Sequence, residues 1–250
     1  MKIFFAHLIC DVNVRRHQVS ERRACQVLGA TKMKWRRGEA LELDFNRLKT
    51  ALEAGQPDRV PLFDFVVSQE VKEGFPGRSI DSLEDEIEFC AKAGYDFMIA
   101  NVYAKYPCIL KKTSSVRNGF GWRNDHVGPI ATAGDVATYP WPDSERIEYS
   151  VLDRTEASLP RVMKVITVAV NFYQAMVELL GFENFAISFK QNTELVIEVL
   201  NRVAKIAIDI LQRVKKFPSV GAVVIGGDIA YQNGTMVVPH FLRKFAFQRH

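Results

Sequence analysis

Several kinds of pattern are missing from this 250-residue sequence, and each absence argues against a class of protein. No stretch approaches the roughly 20 consecutive apolar residues of a membrane-spanning helix, and the mildly apolar start lacks the cleavage site of a signal peptide. The four cysteines form no CxxC pair, and the five histidines show no HxH, HxC or HExxH spacing. The sequence therefore predicts a cytoplasmic protein without a disulfide framework and without a metal site that can be read from spacing.

What the sequence does contain is an uneven distribution of charge. Residues 13–37 carry eight basic side chains and one acidic side chain, for a net charge of +7. Because the whole chain has a net charge of +4, the remainder carries −3. Such a split is typical of two modules with different partners. We predict a basic helical N-terminal extension over residues 1–43 and a second domain over residues 44–250.

The extension has the outline of a helix-turn-helix. VSERRACQVLG predicts a short helix with Ser20 at its N-cap and Gly29 at its end, and the basic segment ATKMKWRR follows. VSERRACQVLG resembles the start of integrase-type transposases of bacterial insertion sequences. The resemblance implies a weak nucleic-acid contact by residues 13–37, held by cations on phosphates. A solvated basic tail left by gene fusion is the alternative interpretation.

The second module alternates helical patterns with apolar runs. The runs predict four parallel strands near residues 60–67, 96–102, 163–170 and 220–226. SLEDEIEFCAKAGY predicts a helix with Ser82 at its N-cap and Gly94 at its end, and residues 103–146, rich in Gly, Asn, Asp and Pro, predict a long irregular segment. Buried strands that alternate with helices are typical of an α/β fold with a parallel sheet. No GxGxxG or GxxxxGK[ST] follows any strand, which weakens a nucleotide-binding interpretation. Periodicity alone does not separate an open doubly wound sheet from a closed barrel.

Five strings in this module resemble, in order, the uroporphyrinogen decarboxylase superfamily: FNRLKTALEAGQPDRVPLF, SLEDEIEFCAKAGYDFM, YPWPD, LLGFENF and GGDIAYQNGTMVVPHFLRKF. The resemblance implies a (β/α)₈ or TIM barrel. Four predicted strands would supply half of its eight, so we expect an incomplete, C-terminally truncated barrel. An incomplete barrel would expose an apolar sheet edge near Val220–Ile225, from which we expect self-association.

The superfamily contains two chemistries. Decarboxylases remove carboxylates from a tetrapyrrole, and they carry an arginine-containing WxMRQAGR-like loop after the first strand. At that place this chain reads DFVVSQEVKEGFPGR, and its first arginine is Arg78. Tyr103 stands where their pyrrole-contacting acid is expected. Both differences favour the methyltransferase-like branch, whose members transfer methyl groups between a corrinoid protein and a thiol activated by zinc. The zinc ligands of that branch would lie beyond residue 250, so we expect this chain itself to hold no cofactor.

Reacting groups of such barrels follow the carboxyl ends of strands. The resemblance and this placement give Asp228 and Tyr103 as catalytic candidates, although Gly227 replaces the first acid of the family's usual pair. The substrate-binding candidates are Asp64, Asn101, Asn171 and Gln232. A capping role for Asp228 and a loop-ordering role for the others are the alternatives, and Asn233-Gly234 predicts a turn.

Three functions are therefore carried forward. The first is a superfamily enzyme that acts on a small molecule or a corrinoid protein. The second is a catalytically silent fragment of a rearranged gene, and the third is a nucleic-acid-binding protein that uses residues 13–37.

Overall fold

A computed structural model of the protein describes residues 2–4, 42–108, 127–227 and 229–243. The strands are β1 (Lys2–Phe4), β2 (Phe97–Ile99), β3 (Lys164–Asn171), β4 (Val220–Gly226), β5 (Ala230–Tyr231) and β6 (Gly234–Thr235). The α-helices are α1 (Phe45–Leu52), α2 (Gln69–Gly74), α3 (Leu83–Ala93), α4 (Ala133–Thr138), α5 (Ser150–Ser158), α6 (Phe172–Leu180), α7 (Phe182–Gln191), α8 (Thr193–Val214) and α9 (Pro239–Phe241), and Ser144–Arg146 forms a 3₁₀ turn.

Four strands form one parallel sheet in the order β1-β4-β3-β2, and β5 and β6 form a separate antiparallel hairpin. The longest pairing joins β3 to β4, from Val165 opposite Val220 to Asn171 opposite Gly226. The predicted α/β class with a parallel sheet is confirmed, and β2, β3 and β4 lie where three of the four strands were predicted. The sheet does not close into a barrel within the ranges that the structure describes.

The predicted strand at residues 60–67 is wrong. These residues form no strand, although the Phe63 ring lies 5.1 Å from the Phe97 ring of β2. Pro61 has no N–H group to donate to a neighbouring strand, and this weakens a backbone ladder here. Val60 and Val66 are each 83% exposed, so the apolar run is only partly buried.

The predicted exposed edge at Val220–Ile225 is also wrong. Strand β1 pairs with β4 from Lys2 opposite Ala222 to Phe4 opposite Val224, so β4 has a neighbour on each side. No local pattern predicts this pairing, because β1 is three residues long and its partner is more than 200 residues away. Residues 5–41 lie outside the described part of the chain, so a separate domain over residues 1–43 stays a prediction.

The two faces of the sheet bury different sets of side chains. The outer face packs against helices α3, α5 and α8 through buried residues such as Val165, Val223 and Ile210. The inner face is covered by α1, where Leu48 joins Phe97, Ile166 and Val224. Side chains packed against this cluster are only partly buried: Ile99 and Val168 of the sheet, Phe45 of α1, and Phe63 and Phe65 of the segment that precedes α2.

Helix boundaries follow the predicted capping residues. Ser82 caps α3 in a capping box with Asp85, and Gly94 ends it with φ of +86°. Gly181, with φ of +76°, separates α6 from α7. Helix α4 was not predicted, because residues 103–146 were expected to be irregular. Its start uses the same signal, a capping box between Thr132 and Asp135.

A buried ion pair ties α1 to the amino end of β2. Arg47 donates to Asp96 across 2.6 Å, and these side chains are 4% and 0% exposed. Arg47 also pairs with Asp58, whose side chain is 68% exposed. The backbone N–H of Asp44 donates to Asp96 at 2.9 Å, and Arg59 approaches the same carboxylate oxygen at 3.3 Å. Asp96 Oδ1 thus collects several donors, whereas Oδ2 of the same carboxylate has no hydrogen-bond partner among the described residues. The amino face of a parallel α/β unit usually serves stability, and a buried cluster of opposite charges suits that role.

Candidate functional site

A cavity of about 480 Å³ lies at the carboxyl ends of β2 and β3. One wall is the segment 103–108, which follows β2, and the other is a face of α6, which follows β3. The floor is apolar and consists of Val168, Ala169, Ala207 and Ile210. Side chains from the ends of two adjacent parallel strands thus meet at one place, as they do in the sites of parallel α/β proteins.

The segment after β2 is fixed at both ends. At its start the N–H of Val102 donates to the hydroxyl of the buried Thr167 at 3.1 Å, which extends the contact between β2 and β3. At its end the hydroxyl of Tyr139 donates to the carbonyl of Pro107 at 2.7 Å. The Tyr106 and Trp141 rings meet edge to face, with centroids 6.5 Å apart. This wall of the cavity is therefore held by neighbours rather than by regular secondary structure.

The second wall is built by one face of α6. Asn171 caps the helix, because its side-chain oxygen accepts from the N–H of Gln174 at 2.9 Å. Residues 171, 174, 175 and 178 recur at helical spacing and all line the cavity. Gln174 also donates to the Glu178 carboxylate at 3.0 Å. The wall therefore presents an amide and a carboxylate above the apolar floor.

The polar groups of the cavity differ in burial and charge. Lys105 is exposed at the rim and makes no ion pair with a described residue, whereas Glu178 is half-buried. Burial raises the pKa of the Tyr106 hydroxyl, and the negative charge of Glu178 raises it further. Tyr106 is therefore a neutral hydrogen-bond donor at physiological pH. Among the described lining residues one cation balances one anion, and none is an arginine.

The structure separates the six predicted site residues. Tyr103 and Asn171 line the 480 Å³ cavity. Asp64 and Asn101 line a smaller cavity of about 220 Å³ beside α3, where Asp64 accepts from the Tyr95 hydroxyl at 2.5 Å. The role of Asn171 is at least partly structural, since it caps α6, and Asp64 is likewise tied to a neighbouring side chain.

The two remaining candidates come from the string around β5 and β6. Gln232 is exposed in the two-residue turn of that hairpin and does not line either of these cavities. The predicted turn at Asn233-Gly234 is confirmed, with φ of +156° at Gly234. Asp228 lies outside the described residues.

The cavity residues that were not predicted include Lys105, Tyr106, Gln174 and Glu178. Lys105 and Tyr106 fall within residues 103–146, which were predicted to be irregular, and lie six and seven residues after the end of β2. Gln174 and Glu178 could have been found, because polar residues three and seven positions after Asn171 interrupt the otherwise apolar helix FYQAMVELL.

A wider groove of about 590 Å³ lies between α5 and the end of α8. Arg213 in its lining is already engaged, since it pairs with Glu145 at 2.7 Å and lies 5.8 Å from the Tyr149 ring. The groove adjoins Pro218, just before β4, and so lies toward the amino end of the sheet. The carboxyl-end cavity is therefore the better candidate for a site.

Comparisons with other proteins add no assignment. No protein-family model matches the chain, and searches of curated proteins and of solved structures find no match either. In the described part of the chain no three His, Cys, Asp or Glu side chains are grouped so that they could hold a metal ion. The described helices include none with both the length and the apolar composition needed to cross a membrane.

Proposed function

We propose that this chain has the fold of the uroporphyrinogen decarboxylase superfamily and belongs to its methyltransferase-like branch. The five ordered strings support the fold, as does the order of β2, β3 and β4, which are neighbours in the sheet in the same order as in the chain. Under this proposal the cavity at the carboxyl ends of β2 and β3 binds the small molecule that accepts or donates the methyl group. Tyr103 and Asn171 then belong to the site by position.

The charge of the cavity lining is the observation that supports the choice of the methyltransferase-like branch. A tetrapyrrole with many carboxylates needs several fixed cations, best supplied by arginines that fork to carboxylates. The described lining holds Lys105 and Glu178, whose charges cancel, and the rest of it is aromatic, amide, thiol or aliphatic. Such a lining suits a small substrate of low net charge.

Under this proposal the residues of the chain bind and orient the substrate. Tyr106 donates a hydrogen bond from its neutral hydroxyl, Glu178 accepts hydrogen bonds, and the floor at Val168 and Ile210 excludes water. Methyl transfer in this branch involves zinc and a corrinoid protein. The described residues do not form a zinc site, and no step of the reaction is assigned to the metal here.

Two assays test the proposal. Incubation of the chain with uroporphyrinogen should give no coproporphyrinogen above a heat-killed control, with fluorescence after oxidation as the readout. Saturation-transfer NMR with 2-mercaptoethanol and its S-methyl ether should show binding of both. Turnover of uroporphyrinogen would contradict the choice of branch.

A pair of variants locates the binding. Ala175→Leu fills the cavity and should weaken thiol binding at least about fivefold, because the ligand would lose its space. Ala186→Leu makes the same change on the exposed surface of α7 and should leave binding unchanged. If neither ligand bound the parent chain, the silent-fragment interpretation would replace the proposed function.

A further inference from the structure

We infer that the cavity of about 220 Å³ beside α3 is a binding site for a small, neutral aromatic molecule. The cavity lies between β2, α3 and residues 64–67. It shares no described lining residue with the 480 Å³ cavity, so this inference goes beyond the proposed function and does not depend on it. Its walls are aromatic and aliphatic, and the charged side chains of its lining are already engaged.

The cavity lies where residues 64–67 run beside β2 without pairing with it. Strand β2 is the last in the order β1-β4-β3-β2, so its edge away from β3 has no strand partner in the described part of the chain. Aromatic side chains hold the neighbouring segment close, because the Phe63 ring lies 5.1 Å from Phe97 and 6.3 Å from Phe65. The segment therefore stays near β2, and the space that a paired strand would fill is left open.

The walls of this space are rings and aliphatic groups. Phe89 of α3 and both Phe97 and Met98 of β2 are buried members of the lining. The Tyr95 ring stands between two of them, with its centroid 6.3 Å from that of Phe89 and 6.3 Å from that of Phe97. A ligand ring would contact these rings and leave water, and both effects favour binding.

The polar groups of the lining offer no free charge to a buried ligand. Lys72 pairs with Glu86 at 2.7 Å, and the Tyr95 hydroxyl donates to Asp64 at 2.5 Å. Asp64 is exposed, so water screens its charge. Burial raises the pKa of the Cys90 thiol to about 12, so this group is neutral at physiological pH. An ionic ligand would lose its water without gaining an unpaired partner, whereas a neutral ligand avoids that cost.

The size of the cavity limits the ligand to about one ring with a short substituent. An apolar cavity of about 150 Å³ holds benzene, so about 220 Å³ leaves room for a substituted benzene. Val66 and Asn101 belong to the lining and are exposed, so they mark a side that is open to solvent. A ligand can therefore enter without rearrangement of the fold.

NMR of the protein labelled with ¹³C at the methionine methyl groups tests the site with two matched pairs of probes. Benzylamine carries an ammonium group where ethylbenzene has a methyl group, and benzoate carries a carboxylate oxygen where acetophenone has a methyl group. We expect the two neutral probes to shift the resonance of Met98 and to leave those of Met163 and Met176, which do not line the cavity, in place. The charged member of each pair should bind at least about tenfold more weakly, because burial of an unpaired charge costs that much.

A pair of variants locates the binding. Val67→Phe fills the cavity and should weaken ethylbenzene at least about fivefold, because the probe loses its space. Val71→Phe makes the same change at an exposed position of α2 outside the lining and should leave the affinity unchanged. Unaltered resonances of Met163 and Met176 show that each variant keeps the fold.

A second pair of variants tests the role of charge. Lys72→Met leaves Glu86 ionised without its partner, so benzylamine should bind at least about threefold more tightly and ethylbenzene should be unaffected. Lys92→Met removes a partner of Glu88, on the same helix but outside the lining, and should change neither probe.

Three outcomes would overturn the inference. The first is a Met98 resonance that neither neutral probe moves, and the second is equal affinity for the charged and neutral members of a pair. The third is an equal response within either pair of variants, which would place the binding, or the cause of its preference, outside the cavity. None of these readouts involves a thiol or a porphyrin, so they are independent of the result for the proposed function.

Discussion

Replacing Asp96 by asparagine should destabilise the protein more than any other single change of one carboxylate in the Arg47 cluster. Asp96 is fully buried at the amino end of β2 and accepts from Arg47 at 2.6 Å and from the backbone of Asp44 at 2.9 Å. Asparagine keeps the shape and one acceptor oxygen but removes the charge. It would also place an amide group where the second carboxylate oxygen of Asp96 already lacks a partner.

The size of the effect follows from burial. Removing one charge of a buried pair leaves the other charge uncompensated, which costs about 3–5 kcal/mol. Among the described residues Arg47 would keep Asp58 as its one close ionic partner, and that side chain is 68% exposed. With a urea slope of about 2 kcal/mol per M, the midpoint of unfolding should fall by about 1.5–2.5 M. A loss of that size is a large part of the total stability of an ordinary domain, about 5–15 kcal/mol.

Asp58→Asn is the matched control, because it makes the same substitution at the other carboxylate of Arg47. Water screens the exposed Asp58, so this variant should lower the urea midpoint far less than Asp96→Asn does. Urea titrations followed by circular dichroism compare the two variants with the parent protein. If the two midpoints fell equally, burial would not explain the contribution of Asp96 and the reasoning would be refuted.

Three further predictions concern other parts of the chain. Burial raises the pKa of the Cys90 thiol to about 12, so iodoacetamide at pH 8 should leave Cys90 unmodified in the native protein and modify it after denaturation, as peptide mass spectrometry would detect. The hydrogen bond from Ser82, followed by the ion pair with Arg78, lowers the pKa of Asp85 from 3.8 to about 2. A carboxyl group with a lowered pKa stabilises the folded state fully above the pKa that it has when unfolded, and this stabilisation is lost as the pH falls toward 2. In Asp85→Asn the urea midpoint should therefore decline less between pH 3.8 and pH 2 than in the parent protein. An unchanged decline would contradict this. Any binding of duplex DNA by residues 13–37 should weaken steeply with salt in fluorescence anisotropy, and salt-insensitive binding would instead indicate contacts to bases.

The sequence predicted the elements whose signals are local. Strands β3 and β4 are long runs of β-branched residues, and α3 has its cap, its acidic first turn and its terminal glycine in one stretch of sequence. Pairing is a non-local property, and there the prediction failed. Residues 60–67 have the composition of a strand but no partner in the sheet, whereas Lys2–Phe4 has little strand signal and pairs with β4.

The same limit explains the outcome for the site. Tyr103 and Asn171 could be predicted as cavity residues because Asn171 is the last residue of β3, Tyr103 lies shortly after β2, and adjacent parallel strands end on one edge of a sheet. Lys105 and Glu178 line the same cavity because the Tyr139 hydroxyl holds Pro107 and because α6 starts at Asn171. Neither constraint can be read from the sequence near Lys105.

The strand order also bears on the choice between a barrel and a doubly wound sheet. In a doubly wound sheet the chain reverses direction after its first strands, and the ligand crevice lies at that reversal. Here β2, β3 and β4 follow one another without reversal, as they would in the wall of a (β/α)₈ barrel. The position beyond β4, which the next strand of the chain would take in a barrel, is taken by β1. That strand pairs with β4 over three residues, whereas β3 pairs with it over six. The cavity lies between the ends of β2 and β3, so it depends on the pairing that both architectures share and not on closure of the sheet beyond β4.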